Sequence, residues 1–298
     1  MSSTFASFVS SQNENRPLTQ EQIPEMANLL DSQTLTMNGQ EWRICVQRNE
    51  NGEPRYGGPS SYHVVFFCTL RRGAFGEKSV VVKFRVYYDD GSNETFQIRH
   101  WDPEQFNALY ARYSLLQGYI SAYNESYSFN HIKKYKHVLL NKFERGVLQD
   151  GDQRIEVWVE DFISGFTYFR PGTGADTTSV GQFPADLVRI VRSNSETLRM
   201  LQKFIYFYSG KARTVCDLQG GVNSSEDYIL ADIEFTDTLE GYHRGQLLLC
   251  YEAILAADMQ VADIPCRFCT KGCRTKRCSC WSQSKHCGLQ CGCKGCLN

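Results

Sequence analysis

The chain has 298 residues, 42% hydrophobic and 22% charged, with 32 Lys and Arg against 33 Asp and Glu. Such a length and composition suit a globular domain with a small appendage and exclude a fibrous or wholly disordered chain. There is no apolar run of about 18 residues, and no basic start followed by a long apolar core, so neither a transmembrane helix nor a secretory signal is expected. The expected location is intracellular, in nucleus or cytoplasm, with no membrane partner.

Residues 1–40 are polar, rich in Ser, Gln and Asn, and are read as a flexible leader with a short helix within Pro24 to Leu30. Trp42 to Gln47 is strand-like, followed by turn signals at Asn51-Gly52, Pro54 and Gly57-Gly58-Pro59. Tyr62 to Leu70 and Ser79 to Tyr88, rich in Val, Phe and Tyr, predict two strong strands, and Thr95 to Arg99 a third. Asp102 and Pro103 form a helix start, and Phe106, Leu109, Tyr110, Tyr113, Leu116 and Ile120 then share one helix face. Val138 to Phe143 and Ile155 to Phe162 are expected strands around the Gln149–Asp152 loop. Residues 183–204 carry a helical period, Thr214 to Leu218 reads as a buried strand, and a last helix is expected from Gln246 to Ala257. The order is β-rich first and mixed second.

The last 33 residues differ in kind. Of 13 cysteines, four (Cys45, Cys68, Cys216, Cys250) are scattered and nine are packed at the end: Cys266, Cys269, Cys273, Cys278, Cys280, Cys287, Cys291, Cys293 and Cys296. In an intracellular chain such density points to metal, and few large apolar side chains are present there to supply folding energy otherwise. Zinc takes four ligands, so nine thiolates serve two ions with one left over, or three ions when three thiolates bridge. The segment also holds seven basic residues and no acid. Taking those seven from the chain's 32 leaves 25 basic residues against 33 acidic ones, a formal charge of −8 on the body. A basic tail on an acidic body suggests a polyanion partner, with Arg274, Lys276, Arg277, Lys285 and Lys294 as candidate DNA contacts. The spacing C-x4-C-x-C-x6-C-x3-C-x-C-x2-C from Cys273 resembles the CXC module of tesmin-type and dosage-compensation proteins. That resemblance implies three Zn²⁺ ions on nine cysteines and contact with DNA or chromatin. The plainer alternative is a zinc knot that only staples the C-terminus.

In the body, the stretch FIYFYSGKARTVCDLQGG (residues 204–221) puts Asp217 at the end of an apolar strand before a glycine loop, and YILAD adds Asp232. Two such carboxylates can hold Mg²⁺ and orient a nucleophile, although Asp with Gly at a strand end is also ordinary turn chemistry. The wording resembles the α-kinases, the atypical family of myosin heavy chain kinases and the elongation-factor kinase. VEDFISGFTYFRPGTG (159–174) is similar to the family's hinge and the loop after it, and VVVKFRV (80–86) to the strand bearing its ATP-contacting lysine. The resemblance spans residues 41–257. It implies an α+β, two-lobed atypical kinase fold with a β-rich N-lobe, a mixed C-lobe and a cleft between them, followed by a small C-terminal trinuclear zinc domain. The implied boundaries are leader 1–40, α-kinase-like catalytic domain 41–260 and nine-cysteine zinc cluster 266–298.

The resemblance also implies roles. Lys83 neutralises phosphate charge; Glu160, Asp161 and Phe162 present hinge groups to adenine. Asp217 accepts or positions the proton of the attacking hydroxyl, and Gln219 and Asp232 ligate Mg²⁺. The activity implied is phosphate transfer from ATP·Mg²⁺ to Ser or Thr of a protein substrate. The chain departs from the family at Lys203, which stands in place of a zinc-binding His; at Ala256 to Ile264, which lacks the family's His and Cys ligands; and at Phe169-Arg170-Pro171-Gly172, which replaces an Asn-rich loop. An internal zinc is therefore not expected. Two other readings stay open: a pseudokinase scaffold whose tail binds DNA, and a DNA-binding protein whose body only dimerises.

Overall fold

The computed structural model describes residues 5, 8, 18–58, 63–73, 76–87, 95–99, 103–129, 136–150, 153–171, 179–237 and 242–262. In chain order they form β1 (Leu18–Thr19), a 3-10 turn (Gln20–Gln22), α1 (Ile23–Leu30), β2 (Thr34–Met37), β3 (Gln40–Val46), β4 (Tyr56–Gly57), β5 (His63–Arg72), β6 (Gly76–Tyr87) and β7 (Thr95–Arg99). Then follow α2 (Pro103–Phe129), β8 (Val138–Leu140), β9 (Phe143–Asp150), β10 (Gln153–Asp161) and β11 (Thr167–Tyr168). The last elements are α3 (Ala185–Val191), α4 (Glu196–Tyr208), β12 (Arg213–Cys216), β13 (Gln219–Val222), β14 (Tyr228–Ala231), β15 (Glu234–Asp237) and α5 (Tyr242–Ala262). They fall into two compact units, one holding the residues to Leu116 with Asn141–Ser164, the other Gln117–Leu140 and the chain from Gly165.

Alternation builds the first unit. Nine strands lie in the order β1-β7-β6-β10-β9-β2-β3-β5-β4, and β6 also pairs with β5. Six of them, β5-β6-β10-β9-β2-β3, therefore close on themselves, which removes free edges along the circuit. Val64, Phe66, Cys68 and Leu70 of β5, Val80, Val82, Phe84 and Val86 of β6, and Ile155, Val157 and Val159 of β10 all turn inward at every second position. The intervening residues of β6 and β10, among them Lys83, Glu156, Trp158 and Glu160, lie on the opposite face of the sheet. Residues 103–116 of α2 lie against that face: Tyr110 and Tyr113 pack on Phe143, with ring centres 4.6 and 4.3 Å away. Gly146 of β9 is closely packed: a Cβ there would stand 2.7 Å from Leu35 Cδ1, so that side chain would have to shift to admit one.

The leader expected over residues 1–40 is corrected at Phe5, Phe8 and residues 18–40, those of it that are described. Phe5, Phe8, Leu18, Ile23, Met26, Ala27, Leu30, Leu35 and Met37 all belong to the core of the first unit. Residues 18–40 supply strands and a helix, with Thr19 and Gln22 closing a reciprocal capping box. Average polarity concealed a sparse set of apolar residues whose side chains converge on one interior. The strand expected over Val138 to Phe143 divides at Asn141 and Lys142 into β8 and β9.

The second unit holds a four-stranded sheet, β11-β13-β14-β8, and the pair β12-β15. Its helical stretch is two helices, not the single period expected over 183–204. Arg192 leaves the helical region, and Ser195 caps α4, its side chain accepting from the Leu198 amide. Phe183, Val188, Val191, Tyr206, Cys216, Leu247, Leu248, Cys250, Tyr251 and Ile254 form one core cluster among α3, α4, β12 and α5. No helix among the described residues is long and apolar enough to cross a membrane.

Candidate active site

On β6, Lys83 sits opposite Trp158 of β10, and Val81 opposite Glu160. Lys83 and Glu160 are thus diagonal neighbours on one face, a spacing that long side chains bridge. Lys83 Nζ lies 2.8 Å from Glu160 Oε1, with the residues 4% and 6% exposed. The ammonium also stands 6.0 Å from the centre of the Trp158 ring. Burial raises the pKa of the Tyr113 hydroxyl well above its ordinary value, and the Glu160 and Asp161 carboxylates add to the shift. Such a lysine is a fixed point cation held by a carboxylate and a ring, in surroundings that magnify its field.

The three residues expected at the hinge are held within the first unit. The Glu160 carboxylate is on Lys83. The Asp161 amide donates to Lys142 O at 3.2 Å and the Phe162 amide to Ser79 O at 3.0 Å. Asn141 Nδ2 donates to Asp161 O, and the Asp161 side chain pairs with Lys78 at 2.6 Å. The Asp161 and Phe162 N–H groups are thus paired within the first unit.

In the second unit, β12 pairs with β15 as Cys216↔Glu234 and β13 with β14 as Gln219↔Ala231. The two pairings share one register, so a single antiparallel ribbon passes from one sheet to the next through two residues on each strand. Those crossings are Asp217-Leu218 and Asp232-Ile233. Both aspartates sit at φ +52°, in the left-handed region that Asp tolerates better than most residues. Backbone of this kind persists where its surroundings fix it. Here the Asp217 amide donates to Ile190 O at 3.0 Å, and Gln219 Nε2 donates to Asp232 O at 3.1 Å. Gly220, at φ +147°, cannot be replaced without conflict: a Cβ there would stand 1.9 Å from Ile229 O. The structure thus brings Asp217, Gln219 and Asp232 onto one kinked ribbon.

Two residues missed in the sequence support this ribbon. Gln202 of α4, 2% exposed, donates through Nε2 to Val191 O at 2.5 Å and Val215 O at 2.8 Å, and its own carbonyl accepts from the Thr214 hydroxyl at 2.8 Å. It ties the ends of α3 and β12 to α4 just ahead of Asp217. Its signal was a polar residue inside an apolar helix face, between Leu198, Leu201 and Ile205. Arg170 donates through Nε, at 2.7 Å, and through Nη2 to Asp217 Oδ1. Its signal was an arginine in a loop set aside as a departure.

A family model, the Alpha-kinase family, matches residues 60–254, well over half of the chain. The chain belongs to the α-kinase family. It is accordingly a protein kinase, a phosphotransferase. Among solved structures it is similar to the α-kinase domain of myosin-II heavy chain kinase A in complex with adenosine, at 12% identity over 71% of this chain and 82% of that one, TM-score 0.44. The same domain in complex with AMP-PNP is matched at 11% identity over 72% and 87%, TM-score 0.44, and in complex with ADP at 12% over 71% and 84%, TM-score 0.45. No curated protein matches the chain significantly in sequence.

For this α-kinase the Mg²⁺ expectation can be tested on the donor set. Gln219 is turned so that its amide nitrogen is on the Asp232 backbone carbonyl, which leaves its Oε1 as an acceptor. Hard oxygen donors of this kind fit Mg²⁺. Among the described residues no group of three or more His, Cys, Asp or Glu side chains could hold a metal ion. The nine cysteines from Cys266 to Cys296 expected to bind zinc, the candidate DNA contacts Arg274, Lys276, Arg277, Lys285 and Lys294, and the turn residues Pro59, Ser60 and Ser61 lie outside the described residues.

Proposed function

We propose that this α-kinase transfers the γ-phosphoryl group of ATP to Ser or Thr of a protein substrate, with Asp217 as the carboxylate that receives the acceptor proton. The substrate oxygen bonds to the γ-phosphorus, and the bond from that phosphorus to the β–γ bridging oxygen breaks, its electron pair leaving on ADP. The hydroxyl proton passes to Asp217. The observation that carries this reading is the kinked ribbon, which fixes Asp217, Gln219 and Asp232 in one register. Lys83, held by the Glu160 carboxylate, supplies fixed positive charge for phosphate oxygens. The Asp161 carbonyl already accepts from Asn141 Nδ2, so the Phe162 carbonyl is assigned to the adenine amine. Gln219 Oε1 and the Asp232 carboxylate would hold Mg²⁺, which when bound neutralises phosphate charge. Catalysis of this kind is mostly positioning and electrostatic stabilisation.

The test is transfer of labelled phosphate from ATP·Mg²⁺ to a basic general substrate and to the chain itself, with Asp217→Ala in parallel and zinc present. Transfer that vanishes in the variant supports the reading; no transfer by the folded wild type returns it to a pseudokinase scaffold.

We further propose that residues 266–298 bind three Zn²⁺ through their nine cysteines and contact DNA through the five basic residues above. The support is donor count and charge: soft thiolates in clustered spacing suit zinc, and the basic side chains suit phosphate. Elemental analysis of the purified chain should give three zinc per protein. DNA affinity should fall steeply with salt and weaken when Arg274, Lys276 and Arg277 are neutralised together.

A further inference from the structure

Arg170 is placed by its backbone before its side chain acts. Thr167 and Tyr168 pair with Gly220 and Gln219, and the Phe169 amide donates to Leu218 O at 2.8 Å. Phe169 O in turn accepts from Ser193 Oγ and from the Asn194 amide, both at 3.0 Å. Pro171 follows, with a fixed φ and a carbonyl that accepts from Arg189 Nε at 3.2 Å. The segment is therefore strapped along the Asp217-Leu218 crossing on both sides of Arg170.

The guanidinium has two constraints of its own. It lies 4.4 Å from the centre of the Tyr168 ring, and both its bonds to Asp217 end on a single oxygen, Oδ1. Among the described residues no donor is placed on Oδ2. A rigid planar fork that binds one carboxylate oxygen twice fixes the rotation of that carboxylate. We infer that Arg170 is a positioning residue for phosphoryl transfer, clamping Asp217 through Oδ1 so that Oδ2 is presented to the acceptor hydroxyl. This rests on the assignment of Asp217 proposed above. The hydroxyl proton then passes to Oδ2 as the substrate oxygen bonds to the γ-phosphorus and ADP departs with the electron pair of the broken P–O bond. Arg170 holds the oxygen and exchanges no proton.

The experiment compares wild type, Asp217→Ala, Arg170→Ala and Arg170→Lys in the full chain, measuring kcat and the KM for ATP. Misplacing a reacting group costs about 100-fold in rate, so Arg170→Ala should lower kcat by about that factor while KM for ATP stays within about twofold. Arg170→Lys keeps the charge without the fork and should recover only part of the loss. Methylguanidinium added to Arg170→Ala should raise its rate by about tenfold or more, and should do nothing for Asp217→Ala. That rescue separates positioning from a folding defect, and Arg170→Lys serves if the alanine variant does not fold. Unchanged or raised kcat in Arg170→Ala overturns the inference by making the pair dispensable or a restraint. A raised KM for ATP at constant kcat overturns it by assigning Arg170 to the nucleotide. If Asp217→Ala retains transfer, or wild type has none, the reading of Asp217 itself fails and this inference with it.

Discussion

The Lys83–Glu160 pair gives the sharpest energetic test. Both residues are almost wholly buried, at 4% and 6% exposure, and their charged atoms are 2.8 Å apart. Removing one member takes that partner from a charge still in low-dielectric surroundings, which costs about 3–5 kcal/mol. For a protein of this size each kcal/mol moves the melting temperature by about 2–4 °C, so Lys83→Met or Glu160→Leu alone should lower it by about 6–20 °C. The double variant Lys83→Met/Glu160→Leu buries no charge at either position and should melt above both single variants, since apolar replacement of a buried pair is often neutral or stabilising. Thermal melts of the four proteins at one concentration complete the cycle. The reasoning fails if the double variant loses as much as the two singles summed, because the pair would then carry no coupling. All three variants should lose phosphate transfer, so fold stability and activity separate cleanly in the double variant.

Gly220→Ala must move backbone, because its Cβ would meet Ile229 O; a loss on the order of 3 kcal/mol or more is expected, with transfer abolished, as read by melting and assay. Gln202→Leu strips the donor from the buried carbonyls of Val191 and Val215 and should cost about 2–5 kcal/mol in melting experiments. Burial, reinforced by the Glu252 carboxylate that accepts its hydrogen bond, pushes the Tyr206 hydroxyl up to about 12. An unfolded tyrosine titrates near 10, so the unfolded chain gives up its proton first. The stability from this group is complete below pH about 10 and is lost as pH rises towards 12, and Tyr206→Phe should show a shallower fall in melting temperature over that window.

What could be read in the sequence was periodicity. β5, β6 and β10 alternate strictly because one face is core, so their positions followed from the pattern within a few residues. The place of Asp217 and Asp232 at strand ends was legible for the same reason. Residues 18–40 were not, because a window average cannot weigh a handful of apolar side chains against a polar background when they converge on one interior. The break between α3 and α4 lay in Ser193-Asn194-Ser195, a capping sequence hidden beneath a continuing apolar period. The partners of the Asp161 and Phe162 amides were not legible, because a motif names residues, whereas hydrogen bonds depend on which strands flank them. Arg170 needed the partner's position: nothing local in Phe169-Arg170-Pro171 tells that a carboxylate 47 residues later will lie against it.

The shared register of the ribbon has a consequence for comparing such chains. Continued through the kink, that register puts Asp217 opposite Ile233 and Leu218 opposite Asp232, so the two acids sit one ladder position apart, an offset set by the pairs on either side and not by the number of residues joining them. The tip between β13 and β14 is closed by its own contacts, with Asn223 Oδ1 accepting from the Ser225 and Asp227 amides. That tip can lengthen or shorten by whole hairpin steps while the two acids keep their mutual station. A search for distant members of this lineage should therefore score the acids by ladder position and allow their linear separation to vary. A tag or a reporter peptide spliced at Ser224 would test how freely that length can change while transfer is preserved.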